Sequence, residues 1–525
     1  MTLIANEIIL EKDTLEFNIH DILKRLDDYG RSVNGMFNRQ DRSRMGQFFT
    51  PSNIASFMAS LFKCRKRRLR ILDPGSGIGI LFTSLVFELC KTTNEIEYIE
   101  VTAFESEKRL LDYSHNALRI CRDICEQSGI SFFGSVVQDD FILHSLNNIN
   151  KGLFSINCEK YDLIIMNPPY NRIRSNTELR RHLNSAGIRT SNTYTAFLWL
   201  SSDQLKENGE IVAIVPRSFC NGTTFKSFRK AFFRYNRINL IHSFERRDKI
   251  FARDNVLQET IILHTTKQDH HPENVSISQS EDDNLSEIPT HCTSYSNVIS
   301  DNDTDRFIFI IKNRNEDDVI NKMRRLTHMI SDLEIQVSTG RVVDFRALDY
   351  LTNRTSSDLV PLIYPSNFNM GLIRWPVLRN KKAIGIRYCD HTKKLLVPNG
   401  YYVLMRRFSS KEENKRLVVA LYTPTSIEII TEYAAFENHI NYIHSNGRSL
   451  DPMLAKGLAI FLSSSLLETY FRIFSGHTQV NADDLRRIPF PSKEELLRIG
   501  SVFRKGLPNQ SIIDNIVNTE VFGNE

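Results

Sequence analysis

Asn167-Pro168-Pro169-Tyr170 follows the apolar run Tyr161-Asp162-Leu163-Ile164-Ile165 after only Met166. The Asn167 side-chain oxygen and the Pro168 carbonyl, held rigid by two rings that fix the backbone, make a pair of acceptors for a planar amine. An exocyclic amine on a nucleobase is a poor nucleophile because its lone pair is delocalised into the ring. Two such acceptors favour a pyramidal nitrogen and free the lone pair for in-line attack. Tyr170 is suited to stack on the base and exclude water. Earlier in the chain, "DPGSGIG" (73–79) joins an apolar strand pattern to an apolar helix pattern. Glycines 75, 77 and 79 let a ligand approach backbone N–H groups at a helix start. The spacing is GxGxG, so the dinucleotide fingerprint GxGxxG is not matched. Glu105 ends the next strand pattern, where a carboxylate accepts hydrogen bonds from ribose hydroxyls. Asp140 and Phe141 follow the third, offering an acceptor for an adenine amino group and a ring for its face. Three such features in succession indicate an adenosine-bearing ligand.

These residues need a frame, and the short β-branched runs supply it: "LRILD" (69–73), "IEVTAFE" (99–105), "FFGSVVQ" (132–138), "YDLIIMN" (161–167), "GEIVAIVP" (209–216) and "ETIILH" (259–264). Amphipathic stretches such as "KRLLDYSHNALRICRDICEQ" separate them. The alternation predicts an α/β domain around a largely parallel sheet with helices on both faces. Residues 1–45 read as a helical segment, and 266–306 as a polar, exposed excursion. The remainder, 331–525, reads as a second, mixed domain with one helix at "PMLAKGLAIFLSSSLLETYFRIF".

The 525 residues allow two to four domains. No apolar run approaches eighteen residues and the N-terminus lacks a secretory pattern, so a cytoplasmic location without membrane association is expected. Eight cysteines contain no CxxC pair and no histidine at ligand spacing, and no metal is called for. The net charge of +5, from 67 basic and 62 acidic residues, permits a polyanionic partner. Basic residues cluster at 63–70, 171–189 and 229–237.

In this order, "GQFFTP" (46–51), "DPGSGIG", Glu105, Asp140-Phe141 and "NPPY" resemble the S-adenosylmethionine-dependent amino-methyltransferases of DNA. The order resembles the gamma class of N6-adenine methyltransferases in bacterial or archaeal restriction–modification systems, over roughly residues 46–265. The resemblance implies a doubly wound, mostly parallel, Rossmann-like methyltransferase domain at 46–310 and a C-terminal mixed α/β DNA-recognition domain at 331–525. It implies S-adenosylmethionine as cofactor. Thr50 and Pro51 would cover its methionine end, Asp73, Gly75 and Gly77 would hold its amino and carboxylate groups, Glu105 its ribose, and Asp140 and Phe141 its adenine. Asn167, Pro168, Pro169 and Tyr170 would hold the target base, with Phe251 on the opposite face and Phe244 as the competing aromatic. Gly75 and Ser76 stand where Ala and Cys are frequent in the family.

Double-stranded DNA is the implied partner, and its adenine must be flipped out at a cost of roughly a few kcal/mol. Stacking on Tyr170 and Phe251 would return about 1–3 kcal/mol each. Arg172 and Arg174 are candidates for phosphate contact. In the C-terminal half, "VSTGRVVDF" (337–345) and "SGHTQVNADDLRRIPFPS" (475–492) resemble segments that open and close recognition domains. Candidate DNA contacts there are Arg341, Arg374, Trp375, Arg406, Arg407, His477 and Gln479, since Arg reads guanine edges and Gln adenine edges. A cognate restriction endonuclease acting separately is a further implied partner, and the oligomeric state stays open. Also open are N4-cytosine chemistry, methylation of protein glutamine or ribosomal RNA, and a non-catalytic specificity subunit.

Overall fold

The computed structural model describes residues 19–36, 49–92, 95–150, 160–244, 259–281, 285, 288–300, 302–377, 382–409, 413–475, 479–503 and 506–523. The chain divides into two compact units. The first is Met1–Phe219, Thr223–Ser296 and Ser300–Arg306; the second is Cys220–Gly222, Asn297–Ile299 and Phe307–Glu525.

In the first unit, α1 (Ile19–Met36) and α2 (Ser52–Ser60) precede the alternation. It runs β1 (Arg68–Asp73), α3 (Ile80–Thr92), β2 (Tyr98–Phe104), α4 (Leu111–Gln127), β3 (Ser131–Val137), α5 (Phe141–Asn150) and β4 (Tyr161–Met166). Then come α6 (Glu178–Ser185), α7 (Thr193–Gln204), β5 (Leu205–Pro216), α8 (Lys226–Phe232), β6 (Asn236–Phe244), β7 (Thr260–Lys267), β8 (Asn274–Ser280) and β9 (Thr290–Ser294). These strands form one sheet in the order β3-β2-β1-β4-β5-β7-β6-β8-β9. Pairing is parallel from β3 through β5, and β7 runs antiparallel to both β5 and β6. All six residues of β4 are buried, which is why it reads as an apolar run broken only by Asp162 and not as an alternation. Strand order reverses between β1 and β4, so their carboxyl ends open a crevice where ligands bind in doubly wound sheets. The mostly parallel α/β fold is thus as the sequence predicts.

One local expectation changes, that for 266–306, and two features lie beyond what the sequence predicts. The β6 sequence "NRINLIHSF" was not read as a strand. The polar stretch 266–306 is not an exposed excursion throughout, because β8 pairs with β6 and β9 with β8. Its signal was the alternation of Val275 and Ile277, both buried, among serines, and average composition hid that period of two. The described helix of the N-terminal segment is part of the first unit: Leu23 and Leu26 join its core, and Asp27 accepts from Ser52 N and Oγ at 3.0 and 2.7 Å.

The second unit holds two sheets. One orders Gln336–Thr339, Ile440–His444, Tyr402–Arg406, Val419–Tyr422, Leu372–Ile373 and Phe368–Asn369. The other orders Leu351–Thr352, Gly385–Arg387, Leu359–Ile363, Tyr433–Phe436 and Leu396–Pro398. Helices Pro452–Leu462 and Lys493–Ser501 cross at backbone contact: a Cβ on Gly457 would lie 1.9 Å from Leu496 O, and one on Gly500 2.0 Å from Met453 O. The single helix expected at 452–474 is two, Pro452–Leu462 and Ser465–Phe474, bent by 61°. Ser464 caps the second by accepting from Leu467 N at 3.3 Å, a bond that competes with helix continuation. Among the described residues no single helix is long and apolar enough to cross a membrane. This bent pair passes that test by length and composition, and the first of its helices is mostly buried in the second unit's core.

Candidate active site

The turn after β1 is built around two buried carboxylates. Asp73 is fully buried; its Oδ1 accepts from Gly75 N at 3.3 Å, while Oδ2 has no hydrogen-bond partner among the described residues. Burial pushes its pKa up to about 8, against the pull of the Gly75 N–H and with a further push from Glu105. Glu105 Oε2 accepts from Gly77 N at 2.9 Å and Oε1 from Glu107 N at 2.7 Å. Gly77 needs a positive φ of 57° to present that N–H. Ser114 on α4 donates to Gly77 O at 2.7 Å, and Ser76 N donates to Phe104 O at 2.9 Å. The turn is therefore clamped from β2 and α4. Above Gly75 it stays open, because an added Cβ would meet only Phe197, at 3.7 Å. A buried carboxylate with one unsatisfied oxygen beside an uncovered glycine turn fits a ligand that brings a cation, since an unpaired buried charge is costly until compensated. Glu105, expected to be free for a ribose, also holds the turn itself.

The β4 end lies across the strand-order switch. Register Leu72↔Ile164 sets β1 and β4 side by side, so "NPPY" emerges next to the glycine turn. Asn167 Nδ2 donates to Thr50 Oγ1 at 3.0 Å, an orientation that fixes which way its oxygen faces. The Tyr170 hydroxyl lies 3.1 Å from Asn167 Oδ1 and 3.1 Å from Ile214 O. Tyr170 is only 9% exposed, with its ring edge-on to Tyr194 at 6.3 Å. Burial, reinforced by Tyr194, raises its phenol well above the usual value. The open stacking face expected of Tyr170 is not what this structure displays; the residue braces the carboxamide from below. Thr193, first residue of α7, donates to Pro169 O and accepts from Asn171 N at 2.9 Å. That contact and the proline rings hold the acceptor pair still.

Thr50 is buried and Pro51 half-buried; Pro51 precedes α2. Asp140 is exposed and its Oδ1 accepts from Leu143 N at 3.0 Å at the start of α5. Phe141 is buried and packs edge-on to Phe104 at 5.4 Å and against Phe197 at 5.2 Å, so its ring supports the site's floor instead of standing open. Sequence reasoning missed Thr193, Phe197, Ser114 and Asp27. Only Thr193 had a local signal, the Asn192-Thr193 pair heading a helical pattern. Phe251, His477 and residues 46–48 lie outside the described residues.

Among the expected DNA contacts, Arg172 and Arg174 are exposed on a loop closed by the bridge Arg172↔Asn192. In the second unit Arg374 is exposed. Arg341 is also exposed, and its guanidinium reaches Lys394 O and Leu396 O at 3.3 and 3.4 Å. Arg406, Arg407 and Gln479 are half-exposed. Arg407 lies over Phe408 at 5.7 Å, and Gln479 bridges to Phe408. Trp375 is corrected: it is 4% exposed, its Nε1–H donates to Ile384 O at 2.7 Å, and it fills the core. An indole with its only donor satisfied inside has nothing to offer a base edge.

The family model described as Eco57I restriction-modification methylase matches residues 79–251. Type II methyltransferase M.PstI of Providencia stuartii is 38% identical over 498 residues, 94% of this chain and 96% of the relative. Type II methyltransferase M.BsuBI of Bacillus subtilis is 37% identical over 491 residues, 93% and 95% of the two chains. Among solved structures, the type IIL restriction-modification enzyme MmeI in complex with DNA shares the fold, with a TM-score of 0.53 at 12% identity over 98% of this chain and 76% of that one.

Proposed function

Because the chain belongs to the type II DNA methyltransferases of restriction–modification systems, we propose that it transfers a methyl group from S-adenosylmethionine to the N6 amino group of an adenine flipped out of duplex DNA at a specific site. The observation that carries the reading is the Asn167 carboxamide, oriented by Thr50 and braced by Tyr170 at the end of β4, next to the glycine turn of β1.

The cofactor supplies a methyl group already activated on a sulfonium. Asp73 would pair with its ammonium, Gly75 and Gly77 would give it room, and Glu105 and Asp140 would take hydroxyl and amino donors. Asn167 and the Pro168 carbonyl accept from the target amine, which places the nitrogen lone pair for attack. Tyr170 and Thr193 keep those acceptors from moving. Extracting the base costs roughly a few kcal/mol, which contacts inside the pocket must offset. Such an enzyme acts on DNA in the cytoplasm of its host and protects it from a separately acting cognate endonuclease.

The test is single-molecule sequencing of DNA from a host that expresses the protein. N6-methyladenine at one short motif is the expected result. N4-methylcytosine would redirect the chemistry to the other exocyclic amine, and unmodified DNA with methylated protein or ribosomal RNA would overturn the reading.

A further inference from the structure

The second unit contains a cleft of about 340 Å³ lined by Tyr364, Lys382, Arg406, Phe408, Glu437 and His439 among others. Three basic side chains, Lys382, His439 and Arg406, face it, and they are not equivalent. Lys382 is bound to Asp344 at 2.5 Å and lies over the Tyr364 ring at 5.2 Å. His439 Nδ1 is bound to Glu437 Oε1 at 2.5 Å, and the His439 backbone N–H donates to Oε2 at 3.0 Å, so both oxygens of a buried carboxylate are committed to one residue. Among the described residues Arg406 has one ion-pair partner, Glu413 at 3.9 Å, and its Nε is buried with no hydrogen-bond partner there. A guanidinium held with an unmatched donor inside a cleft calls for an acceptor that the described residues do not provide.

The mount is rigid. Arg406 pairs with Ile440 inside the larger sheet. The Glu437–His439 turn is fixed by Glu437 N to Ile363 O at 3.0 Å, Asn438 N to Val342 O at 2.9 Å, and Arg407 N to His439 O at 2.8 Å. Gly340 packs on that turn so closely that a Cβ would lie 2.1 Å from Glu437 O. Side chains placed on strand ends and braced by buried partners suit base reading better than phosphate contact, which tolerates a mobile lysine. Phe408, 43% exposed, tilts against His439 at 5.1 Å and gives the rim an apolar wall.

We propose that this cleft reads a guanine from the major groove of the DNA site, with Arg406 donating bidentately to its N7 and O6 and His439, oriented by Glu437, as the second contact. This rests on the DNA methyltransferase function proposed above. Arg406 and His439 are specificity-determining residues and take no part in the methyl transfer.

The full-length protein and its Arg406→Ala, Arg406→Lys and His439→Ala variants should be compared for S-adenosylmethionine affinity, melting temperature and methylation of a duplex library randomised around the cognate motif. Expected are unchanged cofactor binding, about a 10- to 100-fold loss of kcat/KM on the cognate site for Arg406→Ala, and new methylation of sites that differ at one G·C pair. Arg406→Lys should keep overall DNA affinity while losing discrimination at that same pair, because a point charge cannot replace the planar fork. If Arg406→Ala unfolds, the Arg406→Lys and His439→Ala variants carry the test. A uniform loss over all sequences that Lys restores would make Arg406 a phosphate contact and overturn the assignment, as would an unchanged motif in all variants. Wild-type protein that methylates no duplex DNA would overturn the proposed function, and this inference with it.

Discussion

The two ends of the first unit's sheet each bury a pair of carboxylates, and Asp73 at the carboxyl end is treated in the opposite way to the two at the amino end. At the amino end of β4, Asp162 accepts from Lys66 at 2.8 Å, Lys206 at 2.7 Å and Arg70 N at 3.1 Å. Nearby Glu210 accepts from His264 at 2.7 Å and Lys63 N at 3.0 Å. Burial pushes both upward, yet hydrogen bonds from Lys206 and Lys66, and from His264, outweigh it and hold both carboxyls below the usual range. At the carboxyl end Glu105 is likewise satisfied, whereas Asp73 keeps one oxygen unmatched among the described residues and is driven up to about 8. Equal burial therefore distinguishes nothing. A satisfied carboxylate is part of the scaffold, and an unsatisfied one beside an open glycine turn marks where a ligand is expected.

The largest effect is expected at Asn167, at the carboxyl end of β4. Asn167→Ala is expected to reduce single-turnover methyl transfer by about 10²–10³-fold or more while calorimetry shows S-adenosylmethionine binding nearly unchanged. Retention of most of the rate would remove the carboxamide from the chemistry.

Next in size are paired substitutions at the two ends. Glu210→Gln should destabilise the protein by about 1–3 kcal/mol, because His264 and Lys63 N lose an ionised acceptor in a buried site, and should leave cofactor affinity unaltered. Asp73→Asn should do the reverse: melting temperature without cofactor equal to wild type or higher, cofactor affinity at least tenfold weaker. Differential scanning with and without S-adenosylmethionine measures both. Similar behaviour of the two variants would erase the distinction drawn between the ends.

The pH dependence gives a smaller effect with a fixed sign. Asp73 titrates near 8 when folded against 3.8 for the free side chain. The folded state therefore holds an extra proton between those values, and cofactor-free stability falls as pH rises through them. His242 is buried between Ser278 and Ser280, and burial lowers it from 6.5 to about 4. The unfolded state binds the extra proton in that window, so this group's stability is lost as pH falls below 6.5. The two slopes oppose each other below 6.5, leaving Asp73 alone between 6.5 and 8. Wild type should lose about 2 kcal/mol relative to Asp73→Asn across that interval, and saturating cofactor should flatten the difference. Urea titrations at both pH values decide it.

The smallest expected change is on the loop after β4. Exchanging Arg172 and Arg174 for glutamine should weaken DNA binding on all sequences alike and make its salt dependence shallower by about two contacts' worth. A change in the methylated motif would instead assign that loop to recognition.

The site was most legible where its chemistry is continuous in sequence. "DPGSGIG", Glu105, Asp140-Phe141 and "NPPY" each end a strand pattern, and the structure puts the first, second and last at the predicted strand ends. Legibility failed where a segment's average composition disagreed with its periodicity, as at β8 and β9, or where a serine cap interrupted an apolar helix, as at Ser464. It failed also at Trp375, a candidate DNA contact by residue type, because burial in the core gives it another task.

The sequence alone determined the order of strand, glycine turn and rigid acceptor pair, because backbone propensity and side-chain period act over a few residues. Only the tertiary structure decided which groups meet. Thr50 orients Asn167 from 117 residues away, Ile214 holds the Tyr170 hydroxyl from 44, and Asp27 fixes Ser52. Those meetings follow from parallel register across β1, β4 and β5 and from α1 packing into the first unit's core. Both are set by the simultaneous burial of many apolar side chains, which no local stretch of sequence contains.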